Sequence, residues 1–232
     1  MGRGTMTYDP RTIAFAAEII YPPQQLRADL VQNVHNTLFQ KPQLGYQNFQ
    51  VAPDGIHLSN IAQAPGQVSM ASFTFDRLVI REEMRGATLE DFATRAVNVA
   101  TLAFQTLGMT TSVAQQFVVR SLVTPRHFQD GREFLAQRLI PSVSQGGNSF
   151  GRPMQSLGVR FVFPPHEQHT ETFQVRVETW PQDQRSIWIE NSSIYSSPLA
   201  VADMPRVADQ LTATYSHLTG PVCSFLAKLD TP

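Results

Sequence analysis

Residues 88–108 read TLEDFATRAVNVATLAFQTLG, and the prediction of the fold starts from this stretch. Between Leu89 and Leu107, apolar residues recur at the three- and four-residue spacing of one helix face. Thr88 and Asp91 make an N-terminal capping pair, and Gly108 suits the position that follows a helix. The stretch therefore predicts a long helix that packs its apolar face against a sheet.

The residues before this helix predict a strand, a shorter helix and three further strands. Residues 12–20 suit a strand, and Pro22-Pro23 is expected to start the shorter helix, since proline is preorganised for a first helical turn. Pro53-Asp54-Gly55 predicts the turn of a hairpin formed by residues 46–61. Residues 67–84 alternate with period two and predict one long strand with a bulge.

The residues after the long helix predict the same order of elements again. A strand at 113–123 is followed by Pro125 and by a short helix that Asp130 caps and Pro141 ends. Three strands are predicted at 157–163, 170–180 and 186–195. A final helix is expected to be capped by Asp203 and broken or kinked at Gly220-Pro221.

The repeated order predicts an α+β fold built from a duplicated strand-helix-three strands-helix unit. Two long helices are expected to cover its antiparallel sheets. The predicted divisions are an N-terminal tail at 1–11, a first half at 12–112 and a second half at 113–232. Both halves form one pseudo-twofold domain, either by sharing a sheet or by packing about the axis.

Two short segments, in which an arginine follows apolar strand residues, resemble the pattern of a known family. The segments are Val118-Val119-Arg120 and Gly158-Val159-Arg160-Phe161. With the order of elements and the length, they make the chain similar to a sporadically distributed, uncharacterised family of bacterial proteins. The resemblance implies no activity.

Composition and charge exclude several classes of protein. The 232 residues are 42% hydrophobic and 16% charged, with a formal charge of -1, which is typical of a globular protein. Without a broad basic surface, a nucleic-acid partner is not expected. No apolar run of about 18 residues occurs, so no membrane contact is expected either. A single cysteine, Cys223, rules out an internal disulfide and favours the cytoplasm.

Residues 147–151 read GNSFG and match the Gly-x-Ser-x-Gly pattern of a serine hydrolase, with Ser149 as nucleophile. Asp209 and His217 follow in the order of a hydrolase triad. However, a nucleophile elbow needs a strand before it and a helix after it, and the flanking prolines Pro141 and Pro153 favour neither. A loop without catalytic function is the favoured interpretation.

Histidines provide the other candidate chemistry. His166 and His169 are three residues apart with Glu167 between them, but no third ligand for a metal is evident. His217 on the final helix is the one candidate axial ligand for haem, and a surface or core position is the simpler interpretation. Cys223 lies among apolar residues and is expected in the core. We expect no metal and no cofactor.

Five arginines alternate with other residues in the predicted strands and are the candidate ligand-binding residues: Arg77, Arg81, Arg120, Arg160 and Arg176. Period two places the arginines of a strand on one face, where Glu82, Glu178 and Glu190 are expected to pair with them. The sequence leaves open whether this face is simply solvated or forms a groove for an anionic ligand or peptide.

Without a convincing catalytic constellation, the sequence favours a non-enzymatic interaction or assembly protein, with a protein partner or self-association. One alternative is a small-ligand or peptide binder that uses the cleft between the halves. The other is a hydrolase or metal enzyme.

Overall fold

The computed structural model describes residues 8–145, 151–152, 154–167 and 169–232. The strands are β1 (Arg11–Ile20), β2 (Asn48–Ala52), β3 (Gly55–Ser59), β4 (Val68–Phe73), β5 (Arg77–Glu83), β6 (Thr111–Ser112), β7 (Ala114–Val123), β8 (Gly158–Phe163), β9 (Thr172–Thr179), β10 (Ile187–Tyr195) and β11 (Leu199–Ala200). The α-helices are α1 (Ala28–Phe39), α2 (Leu89–Leu107), α3 (Gly131–Phe134), α4 (Pro141–Gln145), α5 (Arg206–His217) and α6 (Cys223–Leu229).

One antiparallel sheet of nine strands dominates the structure, in the order β2-β3-β4-β5-β1-β7-β10-β9-β8. The short strands β6 and β11 form a separate pair. The prediction of an α+β fold with a large antiparallel sheet is confirmed. The central neighbours are β1 and β7, whose register runs from Arg11 opposite Leu122 to Ile20 opposite Ala114.

The helices that contact the sheet pack on one of its faces. Phe15 of β1 stacks on Phe92 of α2 with ring centroids 5.3 Å apart, and Phe161 of β8 meets Phe225 of α6 edge-on at 6.1 Å. Successive residues of a strand point to opposite faces, so the alternate residues lie on the other face. We call this second face the open face.

The helix predictions hold in part. Thr88 accepts a hydrogen bond from the backbone N–H of Asp91, and Gly108 follows α2 in a left-handed conformation (φ 69°), as predicted. Asp130 likewise caps α3. Asp203 does not cap α5, because it lies in a 3-10 turn (Val201–Asp203) before the helix.

The prediction that prolines start two helices is wrong. The first helix, α1, begins at Ala28, several residues after Pro22-Pro23, and Pro125 likewise precedes α3 by several residues. Residues 21–27 and 124–130, which belong to no helix or strand, separate these prolines from the sheet and the helices.

The prediction of a single strand over residues 67–84 is also wrong. The chain turns at Thr74–Asp76 and forms two paired strands, β4 and β5, so four strands rather than three follow α1. The Tyr21 hydroxyl group holds this turn by donating towards the carbonyl oxygens of Thr74 (2.7 Å) and Arg77 (3.0 Å).

The last helical segment bends without ending. A π-helical turn at Leu218–Val222, containing Pro221, joins α5 directly to α6. A second π-helical turn, Leu135–Leu139, extends α3. Proline cannot donate the backbone hydrogen bond of a regular helix, which explains the wider turn at Pro221.

One contiguous hydrophobic core lies between the sheet and the helices. Phe92, Phe104, Leu211 and Leu218 are buried in it, while Val97 and Tyr215 are half-buried. Cys223 is fully buried, in agreement with its predicted place in the core.

Candidate functional site

Four charged residues form a line across the open face, at right angles to the strands. Glu83 of β5 and Arg120 of β7 both lie opposite Ala14 of β1. Arg120 lies opposite Glu190 of β10, and Glu190 lies opposite Arg176 of β9. We call Glu83, Arg120, Glu190 and Arg176 the charge row, because their signs alternate along the line.

Ion pairs connect every neighbouring pair in the charge row. The Nε of Arg120 donates to Oε2 of Glu190 at 2.7 Å, and its Nη1 lies 3.5 Å from Oε1 of Glu83. The Nη1 of Arg176 lies 3.6 Å from Oε1 of Glu190. Glu190 is 6% exposed, so its carboxylate is held between the two guanidinium groups.

Trp188 lies beside the charge row and contacts both of its arginines. The guanidinium carbon of Arg176 lies 5.0 Å from the centroid of the Trp188 ring, and that of Arg120 lies 6.0 Å from it. These are cation–π distances. They fix the two arginine side chains against a flat aromatic surface.

The five predicted arginines all lie on the open face, and the structure brings three of them together. Arg81 pairs with Glu83 and so joins Arg120 and Arg176 at the charge row. Arg77 lies apart and pairs with Glu18 and Asp76. Arg160, on the outer strand β8, donates to Gln174.

The prediction that Glu82 pairs with these arginines is wrong. Glu82 lies on the helix-covered face, where it accepts a hydrogen bond from the Ser69 hydroxyl at 2.7 Å. Its neighbour Glu83 takes the predicted role, since consecutive strand residues point to opposite faces. Glu178 and Glu190 do pair with Arg176.

The charges at the charge row balance. Arg81, Arg120 and Arg176 face Glu83, Glu178 and Glu190. The hydrogen bonds from Arg176 to Glu178 are the main cause of the raised pKa of its guanidinium group. Because each positive charge already has a carboxylate partner, the geometry does not favour a strongly anionic ligand.

A depression of about 390 Å³ lies next to the charge row. Residues from both ends of the chain line it, among them Met84, Trp180, Pro181 and Trp188. The surface therefore combines two indole rings, a thioether and paired charges. Its lining residues come from both sides of the predicted boundary between residues 112 and 113.

The candidate triad residues do not form a site among the described residues. Ser149 lies outside them. Asp209 is exposed on α5, while the His217 ring stacks on Phe173 with centroids 4.4 Å apart. Burial lowers the pKa of His217, which favours its neutral form. The ring lines an apolar groove with Phe163 and Phe225.

His166 and His169 form a tight turn through reciprocal backbone hydrogen bonds of 2.7 and 2.8 Å. The side chains of both are exposed, and Nδ1 of His169 lies 3.1 Å from Oε1 of Glu171. Within the described part of the chain, no three His, Cys, Asp or Glu side chains form a group that could hold a metal ion.

Sequence reasoning missed Glu83, Trp180 and Trp188 as parts of this surface. The period-two pattern of β5 contained the signal for Glu83, because Glu83 shares its parity with Arg77 and Arg81. No comparable signal existed for the tryptophans, whose neighbours depend on the register between strands.

Comparisons with known proteins add no family. No protein-family model matches the chain, and no curated protein matches it. Among the helices that the structure describes, none combines the length and apolar character needed to cross a membrane.

Proposed function

We propose that this protein is a non-enzymatic assembly protein that binds a second copy of itself through the open face of its sheet. The observation that carries the proposal is the alternating order of the charge row, Glu83, Arg120, Glu190 and Arg176. Across the six strands from β5 to β8 the line reads Glu83, Ala14, Arg120, Glu190, Arg176 and Arg160. When this line is reversed, each carboxylate lies opposite a guanidinium group. A twofold-symmetric interface needs this self-complementarity.

The row defines how the two copies meet. A twofold axis parallel to the strands, passing between Arg120 and Glu190, lays one row on the other in reverse. Because β1 lies between β5 and β7, Glu83 of each copy then faces Arg160 on β8 of the other, Arg176 faces Ala14, and Arg120 faces Glu190. Rotation about such an axis keeps the strand directions of the two sheets aligned, as in packed β-sandwiches.

The open face is large enough for a stable dimer. The axis lays six strands of one copy, from β5 to β8 in the sheet order, on the same six strands of the other. At about 4.8 Å between strands and about eight residues per strand, this overlap covers roughly 800 Å². Standard interfaces bury about 800 Å² on each partner.

Its composition also suits an interface. Trp188 and the arginines are residue types enriched at binding hot spots. Small or apolar side chains such as Ala14, Ala16 and Val118 lie between the charges.

Charge reversal tests this arrangement directly. Glu83→Arg brings arginine against Arg160 of the second copy, and Arg160→Glu brings glutamate against Glu83. Each variant alone should therefore be a monomer in sedimentation analysis, while the wild type is a dimer. An equimolar mixture of the two variants should form heterodimers, because the new arginine of one faces the new glutamate of the other.

Matched controls use exposed charges on the helix-covered side. Asp209→Arg and Arg206→Glu lie on α5 and should leave the dimer intact. A wild type that stays monomeric at all accessible concentrations would contradict the proposal. So would a mixture of the two charge-reversal variants that remains monomeric although both variants are folded.

The depression beside Trp188 favours a second candidate function, the binding of a small ligand or peptide between the halves. The observation that favours this function is that indole rings and charged side chains together line a depression of about 390 Å³. In this case native mass spectrometry of the purified monomer should detect a retained adduct, and Arg120→Ala should release it. Arg160→Ala, at the outer strand, is the matched control.

We also propose that the fold is an internal duplication, with halves at 12–112 and 113–232. The strand orders support this, since they agree when read outward from the centre: β1, β5, β4 and β3 on one side and β7, β10, β9 and β8 on the other. β2 is then an addition to the first half. Superposition of the four strand pairs, with α2 on α5, tests the relation, and divergent helix positions would contradict it.

A further inference from the structure

Both tryptophans of the chain line the depression beside Trp188. Trp180 follows β9, Trp188 lies on β10, and each residue is half-buried. Met84 and Pro181 are exposed and extend this apolar wall. The volume of about 390 Å³ lies near the lower end of the range for small-molecule sites, about 300–1,000 Å³. The depression therefore has the room and the aromatic surface to hold a molecule of one or two rings.

The charged side chains that line the depression remain accessible to a ligand. Those of Arg120, Arg176 and Glu178 are each about one-third exposed, and that of Glu83 is 20% exposed. A molecule in the depression can therefore form hydrogen bonds with them.

Much of the hydrogen-bonding capacity of these side chains is unused. Arg120 forms one hydrogen bond with the described residues, from Nε to Glu190, although a guanidinium group has five N–H groups. Arg176 directs both Nε and Nη2 at Oε1 of Glu178 (3.0 and 2.7 Å), so Oε2 of this carboxylate accepts no hydrogen bond from the described residues. The depression therefore offers N–H donors and carboxylate acceptors together.

Gly158 on β8 leaves room for the side chain of Glu178. The two residues lie opposite each other, and a β-carbon at position 158 would come within 2.4 Å of Cγ of Glu178. A larger residue at this position would therefore displace the glutamate. Gly158 and Arg176 together fix Glu178 at the wall of the depression.

The balance of charge selects against charged ligands. The three arginines and three glutamates around the charge row are already paired, so an added carboxylate or ammonium group would have to displace a bound partner. A purely apolar ligand would remove water from these groups without replacing its hydrogen bonds, which costs free energy. A hydroxyl group both donates and accepts, so neighbouring hydroxyl groups join the guanidinium and carboxylate groups without breaking an ion pair.

We propose that the depression binds a neutral saccharide. A sugar ring presents C–H groups on its face, and these pack against the electron-rich face of an indole ring such as that of Trp180. The hydroxyl groups at the edge of the sugar accept hydrogen bonds from Arg120 and donate them to Glu178. The proposal rests on the second candidate function, the binding of a small ligand, and names the class of that ligand.

The saccharide and the second copy of the protein compete for the same surface. Arg120 and Arg176 belong both to the depression and to the line that faces the second copy. Saccharide binding is therefore measured on dilute protein that sedimentation has shown to be monomeric. A protein that never forms the dimer should still bind the saccharide, so the two proposals are tested separately.

Tryptophan fluorescence provides the first measurement, since both tryptophans line the depression. Methyl β-D-glucopyranoside, methyl β-D-galactopyranoside and methyl α-D-mannopyranoside are titrated into the wild type, with glycine betaine and propionate as charged comparisons. At least one glycoside should change the fluorescence in a saturable manner, and saturation-transfer NMR should detect contact between its ring protons and the protein. Tighter binding of the corresponding trisaccharide would assign a glycan chain, and equal binding would assign a single sugar.

Variants place the bound saccharide in the depression, with saturation-transfer NMR as the measurement. Trp180→Ala and Glu178→Ala should each weaken glycoside binding by roughly tenfold or more, because they remove the stacking surface and a hydrogen-bond acceptor. Phe75→Ala and Glu167→Ala are the matched controls, since they remove an exposed ring and an exposed carboxylate elsewhere. Both controls should bind the glycoside like the wild type.

The proposal is overturned if no glycoside binds to the monomer, if glycine betaine or propionate binds as tightly, or if folded Trp180→Ala or Glu178→Ala binds unchanged. A retained adduct of another chemical class, together with no glycoside binding, would refute the saccharide and support the ligand-binding function. The absence of both a retained adduct and glycoside binding would refute both.

Discussion

Glu190 is the residue on which the charge row depends, because its carboxylate lies between Arg120 and Arg176. Glu190→Ala leaves the two guanidinium groups without this shared partner. The arginines are about one-third exposed. We therefore expect the free energy of unfolding to fall by about 1–3 kcal/mol, less than for a fully buried pair.

Urea denaturation at a fixed protein concentration measures this change. Glu167→Ala removes an exposed carboxylate and should alter the free energy of unfolding by less than about 0.5 kcal/mol. Equal effects of the two substitutions would mean that the charge row contributes nothing to stability.

Glu82 should make the stability of the protein depend on pH. Burial raises the pKa of Glu82 above its ordinary value of 4.5, against the hydrogen bond from Ser69 and the charges of Arg95 and Arg85. The folded protein therefore binds this proton more tightly than the unfolded chain. The stabilising effect is present below the pKa of the unfolded chain and is lost as the pH rises through the folded-state pKa.

The test compares the wild type with Glu82→Gln in urea at a series of pH values. The free energy of unfolding of the wild type relative to the variant should fall as the pH rises from below 4.5 towards neutrality. A difference that stays constant or rises with pH would show that the pKa of Glu82 is not raised.

At the scale of elements, the long helix α2 packs against the sheet. Phe104 on this helix is fully buried, and its ring meets that of Tyr21 edge-on at 5.9 Å. Phe104→Ala should lower the free energy of unfolding by about 3–5 kcal/mol through lost contacts and a cavity. Gln105→Ala, exposed on the same turn, should have little effect. Matching melting temperatures for the two variants would refute this packing.

The long helix could be predicted from the sequence because its determinants are local. The cap at Thr88, the apolar stripe and Gly108 lie within one continuous stretch. The turn between β4 and β5 could not be predicted, because Thr74–Asp76 contains neither glycine nor proline. Its stabilising hydroxyl group belongs to Tyr21, 53 residues away from Thr74 in the chain.

In the candidate site, too, the local features could be predicted from the sequence and the non-local ones could not. Period two was enough to place Arg77 and Arg81 on one face of β5. Whether the arginines of the other strands share this face depends on the register between strands. Their partners depend on which strands become neighbours and in which register, and this information is not local. The prediction chose Glu82 where the structure uses Glu83. This error shows how strongly the pairing depends on register, because a shift of one residue moves a side chain to the opposite face.

At the scale of the whole molecule, Asp230 connects the two ends of the chain. It accepts hydrogen bonds from the Tyr8 hydroxyl (2.6 Å) and from the backbone N–H groups of Arg126 (2.6 Å) and His127 (3.1 Å). Burial opposes ionisation of Asp230, but these hydrogen bonds outweigh it, and the pKa of the carboxyl group is lowered.

Asp230→Ala should therefore lower the free energy of unfolding at neutral pH by about 1–3 kcal/mol. A lowered carboxyl pKa stabilises the fold above the pKa of the unfolded chain, and this effect is lost as the pH falls through the folded-state pKa. The difference between wild type and variant in urea should accordingly shrink in acid. A difference that grows in acid would contradict this assignment.

The shared sheet and core predict that the protein unfolds as one unit. The two tryptophans, Trp180 and Trp188, both lie in the second part of the chain, whereas far-ultraviolet circular dichroism reports on all of it. The urea transition followed by tryptophan fluorescence should therefore coincide with the transition followed by circular dichroism. Separated midpoints would mean that the first part of the chain melts independently.

The pairing of β1 with β7 has a consequence for the newly made protein. Synthesis adds about 5–20 residues per second, and β7 begins about 90 residues after β1 ends. For several seconds, the first part of a nascent chain therefore presents β1 as an unpaired edge. Neighbouring ribosomes on one messenger carry chains that differ in length, and a finished β7 could pair with the waiting β1 of another chain. Such an exchange would leave two intertwined molecules, each completing the sheet of the other.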